Sequence, residues 1–339
     1  MVSIFRPSDF HVHLREGPIL KHSLNENLKH FQRILIMPNL SNPITNSKIL
    51  LNYRNQIDEI SRSQIDILFT VYLNEDWSTK DLENAYHNNL FFAAKLYPKN
   101  ATTNSSSGVG DIKKLIKHFE ILEKNNIPLC LHGETITPFD DPFEREKIFL
   151  NKELVWIQNN FPNIKITLEH ITTKDAVDYV KENNNIAATI TVHHLLENTN
   201  SFLGDLLKPE LFCKPLIKNR SHQLSLQRVA LSGNKKFFFG SDSAPHLSKK
   251  KFNTQCCAGV YSSKYGVSNL IEFFSSNKKL KNLDKFLSIN GNNHYSLNFN
   301  KKKINYKKIK NFKFANKTRC NQDYLIHYNH YNDYWSLNK

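Results

Sequence analysis

The 339-residue sequence predicts a (β/α)8 barrel of the TIM type, and three observations carry that prediction. Short β-rich runs alternate with longer segments whose apolar residues recur at helical spacing, which is the pattern of parallel β/α units. Polar residues fall near the C-terminal ends of those runs, the rim where barrels of this kind gather their chemistry. The length suits one domain around one large core.

The expected strands are residues 8–14, 33–37, 66–73, 91–97, 128–133, 164–170, 186–191 and 236–242. Helical segments such as 46–62, 111–125 and 173–183 separate them. The second of these places Ile112, Leu115, Ile116, Phe119 and Leu122 on one stripe, and Asp111 suits its N-terminal end. Residues 192–218 form a long connection after the seventh strand and hold His193, His194 and Lys214. Beyond about residue 277 the chain turns rich in Lys, Asn and Tyr, with weak strands such as 323–327, and reads as terminal helices plus a peripheral extension. Residues 1–339 are therefore taken as one domain, with a core of about 5–295 and a small C-terminal extension at 296–339.

A composition of 40% hydrophobic and 23% charged residues is that of a globular chain. No apolar run approaches the roughly 20 residues that span a bilayer. Arg6, Asp9 and His11 interrupt any signal-peptide core, so a cytoplasmic protein with no membrane partner is expected. Cys130, Cys213, Cys256, Cys257 and Cys320 are scattered without a CxxC pair, which argues against a disulfide framework or a zinc ribbon. The net charge of +15 raises the question of nucleic acid. The lysines are spread out, however, with runs only at 249–251 and 301–303 and no nucleic-acid-binding motif, so no nucleic-acid partner is expected. A basic field can still attract a small dicarboxylate.

The first strand ends in Asp9-Phe10-His11-Val12-His13-Leu14-Arg15. Strand alternation turns His11, His13 and Arg15 the same way, so two imidazoles can grip one metal and the arginine can hold an anion. An HxH pair alone is more often an ordinary pair of half-buried histidines, and the reading needs partners. Lys95, His132, His170 and Asp242 supply them from later strand ends. Four imidazoles and a carboxylate suit zinc or a similar divalent ion. Lys95 lies in apolar Phe91-Phe92-Ala93-Ala94-Lys95-Leu96-Tyr97-Pro98, where burial favours the neutral amine. Such an amine can react with carbon dioxide to give a carbamate, an anionic ligand able to bridge two metals; alone, the lysine would be read as snorkelling to the rim. Metal binding lowers the pKa of water from 15.7 to about 7, and Asp242 is placed to take the proton and return it to a leaving nitrogen. That chemistry belongs to a hydrolase of amides or cyclic amides.

The motifs of this chain resemble those of the amidohydrolase superfamily and, within it, the bacterial class II dihydroorotases, over roughly residues 5 to 295. Besides the first strand they are Met37-Pro38-Asn39-Leu40, Ala93-Ala94-Lys95-Leu96-Tyr97-Pro98 and Ala101-Thr102-Thr103-Asn104-Ser105-Ser106. Leu131-His132-Gly133-Glu134, Leu168-Glu169-His170-Ile171-Thr172-Thr173-Lys174-Asp175-Ala176 and Gly240-Ser241-Asp242-Ser243-Ala244-Pro245-His246 complete the series. HxH and the late aspartate are common to the superfamily, whereas the Lys95 to Ser106 and Glu169 to Ala176 blocks are more specific.

The resemblance implies a zinc-dependent, reversible cyclisation of N-carbamoyl-L-aspartate to L-dihydroorotate, a step of pyrimidine synthesis, by a homodimer. It implies two Zn(2+) per subunit. His11, His13 and Asp242 would hold the first, His132 and His170 the second, and carboxylated Lys95 would bridge them, with Asp242 as the catalytic acid/base. Arg15, Asn39 and His246 would hold the substrate carboxylate, with His13 and His132 bordering the substrate. Thr102 and Thr103 would cover it from a lid at 101–110. Lys214, where the family commonly has an apolar residue, and Ala258 would contribute backbone contacts. His193 and His194 are given a structural role, because adjacent residues on a strand point to opposite faces. A hydantoinase-like enzyme would share the metal cage but lack the Arg15/Asn39/His246 clamp. A catalytically silent homologue should have lost ligands, and all six are retained.

Overall fold

The structure is a computed structural model that describes residues 1–62 and 64–338. A short strand β1 (Val2–Phe5) precedes eight barrel strands. These are β2 (Ser8–Val12), β3 (Arg33–Ile36), β4 (Asp66–Leu73), β5 (Ala93–Leu96), β6 (Leu129–His132), β7 (Ile166–Glu169), β8 (Ile186–Ile190) and β9 (Phe237–Phe239). They form one sheet in sequence order, every pairing parallel, as a (β/α)8 barrel requires. All eight lie in the runs expected from the sequence, several of them shorter.

Strands covered on both faces read as continuous apolar runs, and Phe237-Phe238-Phe239 and Ile186–Ile190 are buried throughout. Phe10, Leu35, Ala93, Cys130, Ala187 and Phe238 cluster together with Tyr295, whose ring lies 5.3 Å from Phe10 and 5.9 Å from Phe238. Tyr295 follows the helix Asn290–His294, which crosses close enough that a Cβ on Gly291 would meet the Phe10 ring. The apolar stripes of the outer helices pack on the other strand face.

The three helices expected above are present with the caps their sequences offer. Asn46 accepts from the Ile49 amide to start Ser47–Ser61, and Thr173 accepts from Ala176 to start Lys174–Glu182. Asp111 caps a 3₁₀ turn (Ile112–Leu115) that leads into the helix Ile116–Lys124. Among the described residues, no helix is long and apolar enough to cross a membrane.

The sheet closes where β9 returns to β2, through two hydrogen bonds rather than a regular ladder. The Asp242 amide donates to the His11 carbonyl at 2.9 Å, and the His13 amide donates to Ser243 at 3.1 Å. Asp9 reinforces the join by accepting from the amides of Ser241 (2.8 Å) and His11 (3.1 Å). Gly240 is needed here, because a Cβ would meet Thr189 at 2.8 Å and the His11 Cβ at 3.0 Å.

The C-terminal region is more strand than helix. After Lys285–Ile289 and Asn290–His294 come β10 (Lys303–Ile309), β11 (Lys317–Cys320), β12 (Asp323–Ile326) and β13 (Tyr334–Asn338). β10 pairs antiparallel with both β1 and β13, so the chain's first strand belongs to the extension's sheet. Lysines occupy three of the seven positions of β10 and only Tyr306 is fully buried in it, which leaves a faint period-2 signal in the sequence.

Burial lowers several histidines: His30 and His194 to about 4, and His294 and His327 to about 3. The unfolded chain binds protons at these residues below about pH 6.5, whereas the folded chain does not. Stability is therefore full above that pH and falls as the solution is acidified toward 4. Thermal melting with a chelator present throughout should show a lower midpoint at pH 4.5 than at pH 7.5; equal midpoints would contradict this origin.

Candidate active site

At the barrel seam His11 Nε2 and His13 Nε2 lie 3.2 Å apart, and Asp242 Oδ1 is 3.3 Å from the first and 2.9 Å from the second. All three side chains are buried. Donors held at about 2.0–2.1 Å from a tetrahedral zinc stand roughly 3.3 Å apart, so this triangle fits a shared cation. Burial alone would raise the Asp242 carboxyl, but His11 and His13 outweigh it and hold it well below the usual range. Burial alone would lower His11, yet Glu169 and Asp242 together hold it up at about 9. For His13 burial prevails, aided by Arg15, and its pKa falls to about 4.

His170 and His132 continue the row. Ring centroids step 5.1 Å from His13 to His11, 5.0 Å to His170 and 4.8 Å to His132. His132 is the last residue of β6, and its Nε2 lies 2.8 Å from Glu134, which leaves Nδ1 available to a metal. His170 follows β7, and burial, with His132 next, keeps it well below its ordinary value.

Lys95 is fully buried, and its Nζ contacts the Glu169 carboxylate. Glu169 also lies 3.0 Å from His11 Nδ1, so one carboxylate joins the lysine to the first histidine. The run around Lys95 is apolar, but Glu169 at the end of β7 supplies a carboxylate partner that this run does not contain. Among the described residues, His11 with His13 and Asp242, and His11 with Glu169 and His170, form groups whose donors can meet one ion.

Arg15, Asn39 and His246 are brought together, though strand alternation does not place all of them. β2 ends at Val12, and Arg15 sits beyond it with φ +64°, in the left-handed region. His170 and Asp242 share that conformation, each at φ +44°. Such backbone is uncommon for residues other than glycine and gathers at functional sites. Arg15 Nη2 lies 3.2 Å from His246 Nε2, while its buried Nη1 has no protein partner. Asn39 donates to the Thr103 carbonyl at 3.0 Å, and Asn104 donates back to the Asn39 carbonyl at 3.1 Å. Thr103 and His246 both reach the Ala258 carbonyl, at 3.1 and 2.9 Å. Five expected substrate residues thus form one connected rim. Thr102 donates instead to Ser105 within the 101–110 loop.

The chain is 44% identical over 298 residues to a dihydroorotase of Aliivibrio fischeri, covering 87% of each protein. The chain belongs to the dihydroorotase family. A solved Campylobacter jejuni dihydroorotase shares 33% identity and superimposes with a TM-score of 0.89 over 99% of this chain and 97% of that one. A Saccharomyces cerevisiae dihydroorotase, solved with 5-fluoroorotic acid, gives 0.90 at 28% identity over 99% and 98%. No family model matches the chain. Dihydroorotases are hydrolases of cyclic amides, and this chain is an enzyme of that class.

Within this dihydroorotase rim, Lys214 is half-buried, follows Cys213 and precedes a cis proline, Pro215. Together with Lys218 it faces Glu134. Burial would raise that carboxyl, but the His132 hydrogen bond and these cations hold it low. His193 and His194 lie on a short helix, Val192–Leu196, and not on a strand, so the alternation argument does not apply to them. His194 is satisfied by Thr191 Oγ1 at 2.9 Å and the Pro215 carbonyl at 3.1 Å, in keeping with a structural role. Together with Cys213 the pair could also meet one ion.

Sequence reasoning passed over three acids: Glu169, Glu134 and Glu146. The first two are adjacent to or two residues from a histidine ligand candidate, and that proximity was the available signal. Glu146 had none. Its buried carboxylate accepts from the amides and hydroxyls of both Thr172 and Thr173, the turn directly after His170. Removing it in Glu146→Ala strands several buried donors and should cost roughly 2–4 kcal/mol. Urea unfolding checks this; a loss under about 0.5 kcal/mol would mean the turn holds without it.

Proposed function

We propose that this rim catalyses the reversible ring closure of N-carbamoyl-L-aspartate to L-dihydroorotate in pyrimidine synthesis, as a cytoplasmic homodimer that uses two zinc ions per subunit. His11, His13 and Asp242 would hold one zinc, and His132 and His170 the other. Lys95, once its Nζ parts from Glu169 and is carboxylated, would stand between them. Bound zinc would lower the pKa of water to about 7 and polarise the ring carbonyl. Arg15, Asn39 and His246 would orient the substrate through its free carboxylate, and a guanidinium with one buried, unpartnered N–H is suited to that. The backbones of Lys214 and Ala258 would border the ring, with His13 and His132 beside it. Thr102 and Thr103 would cover it from the lid and exclude water.

In the hydrolytic direction a water oxygen adds to the ring amide carbon and its proton passes to Asp242. The C–N bond then breaks, and Asp242 delivers the proton to the departing nitrogen. Synthesis runs the same transfers in reverse, with the side-chain carboxylate closing onto the carbamoyl nitrogen and water leaving.

The observation that carries this reading is the clamp: an arginine, an asparagine and a histidine joined beside a buried His/His/Asp triangle. A hydantoin lacks the carboxylate that such a clamp would select. Zinc-loaded protein should open L-dihydroorotate and leave an unsubstituted hydantoin nearly untouched; activity on the hydantoin alone would sink the assignment. Asp242→Ala should lose roughly 10²–10⁴-fold in kcat while keeping a cooperative melt. Turnover at the wild-type rate would refute its role in proton transfer.

A further inference from the structure

Of the run Lys249-Lys250-Lys251, two side chains are exposed and the third is not. Lys251 ends the short helix Ser248–Lys251, is 4% exposed, and makes no salt bridge among the described residues. Its three N–H groups are spent on main-chain carbonyls: Phe212 at 2.7 Å, Cys257 at 3.1 Å and Gly259 at 2.7 Å. Removing an ammonium from water without a carboxylate partner is costly, so this arrangement calls for a reason.

The carbonyls it selects supply one. Those of Cys257 and Gly259 flank Ala258, whose own carbonyl points away to receive His246 and Thr103. The Phe212 carbonyl, which also accepts from the Gly259 amide at 2.9 Å, opens the segment that runs through Cys213 to Lys214 and Pro215. One ammonium therefore ties together the two backbone segments proposed above to border the substrate ring. The C-terminal hairpin steadies its helix: Asp323 accepts from the Ser248 hydroxyl and from the Lys249 amide at 3.1 Å, and Leu247 bridges to Leu325. Gly259 completes the fit at φ +148°, where a Cβ would meet the Ala244 carbonyl at 2.7 Å.

We propose that Lys251 is a positioning residue for substrate, acting through the main chain at Ala258 and Lys214 and touching no reacting atom. The inference rests on the substrate contacts proposed for those two residues. Lys251→Met keeps the length and apolar stem but removes the charge and all three donors. In zinc-loaded enzyme it should raise KM for L-dihydroorotate about tenfold with kcat within about threefold, the mark of lost uniform binding. Zinc content by metal analysis should match the wild type. An unchanged KM would overturn the proposal, as would a joint loss of kcat and zinc, which would place Lys251 in support of the metal ligands. If Lys251→Met does not fold, Lys251→Arg is read in the same way, since a planar fork cannot match three carbonyls converging on one point. A wild-type enzyme inactive on L-dihydroorotate would instead remove the functional reading on which the inference stands.

Discussion

Closing the barrel and assembling the first candidate metal triangle are one event. β9 meets β2 through the Asp242 amide on the His11 carbonyl and the His13 amide on Ser243. The same residues whose main chains make that join turn their side chains into the triangle of two imidazoles and a carboxylate. Asp9 and Gly240 serve the seam from behind, one by accepting two amides and the other by leaving room for Thr189 and His11. A barrel that failed to close here would separate the ligands contributed by the first strand from the one contributed by the last.

Charge is buried densely around that seam, and much of it is paired. Glu169 serves both Lys95 and His11, and Asp242 serves His11 and His13. Burial raises the pKa of Asp9 to about 6, against the hydrogen bonds from Ser241 and His11 and the charge of His11. Arg15 faces the rim with a free N–H, a group for which an anionic substrate would be the natural partner. Further out the same logic recurs with main-chain partners, as Glu146 gathers the turn after His170 and Lys251 gathers the carbonyls around Ala258.

The extension takes part in this arrangement. β1 pairs with β10, and β12 holds the helix that presents Lys251, so residues beyond the eight β/α units brace the rim. Its strands left little trace in the sequence, because few of their side chains are buried.

Eight strands, their order, and the candidate ligands His11, His13, Lys95, His132, His170 and Asp242 were legible from the sequence alone. Local periodicity encodes strands and helices, and a parallel β/α alternation of this count has one common way to close. The motifs also pointed to Arg15, Asn39 and His246. What only the tertiary structure decided is which distant groups neutralise or hold these residues: Glu169 against Lys95, Glu146 beneath the turn after His170, Lys251 behind Ala258. Those partners come from separate β/α units or turns and obey no spacing rule. A buried charge is satisfied by whatever donor or acceptor the fold brings near it, and an isolated stretch of sequence does not carry that information.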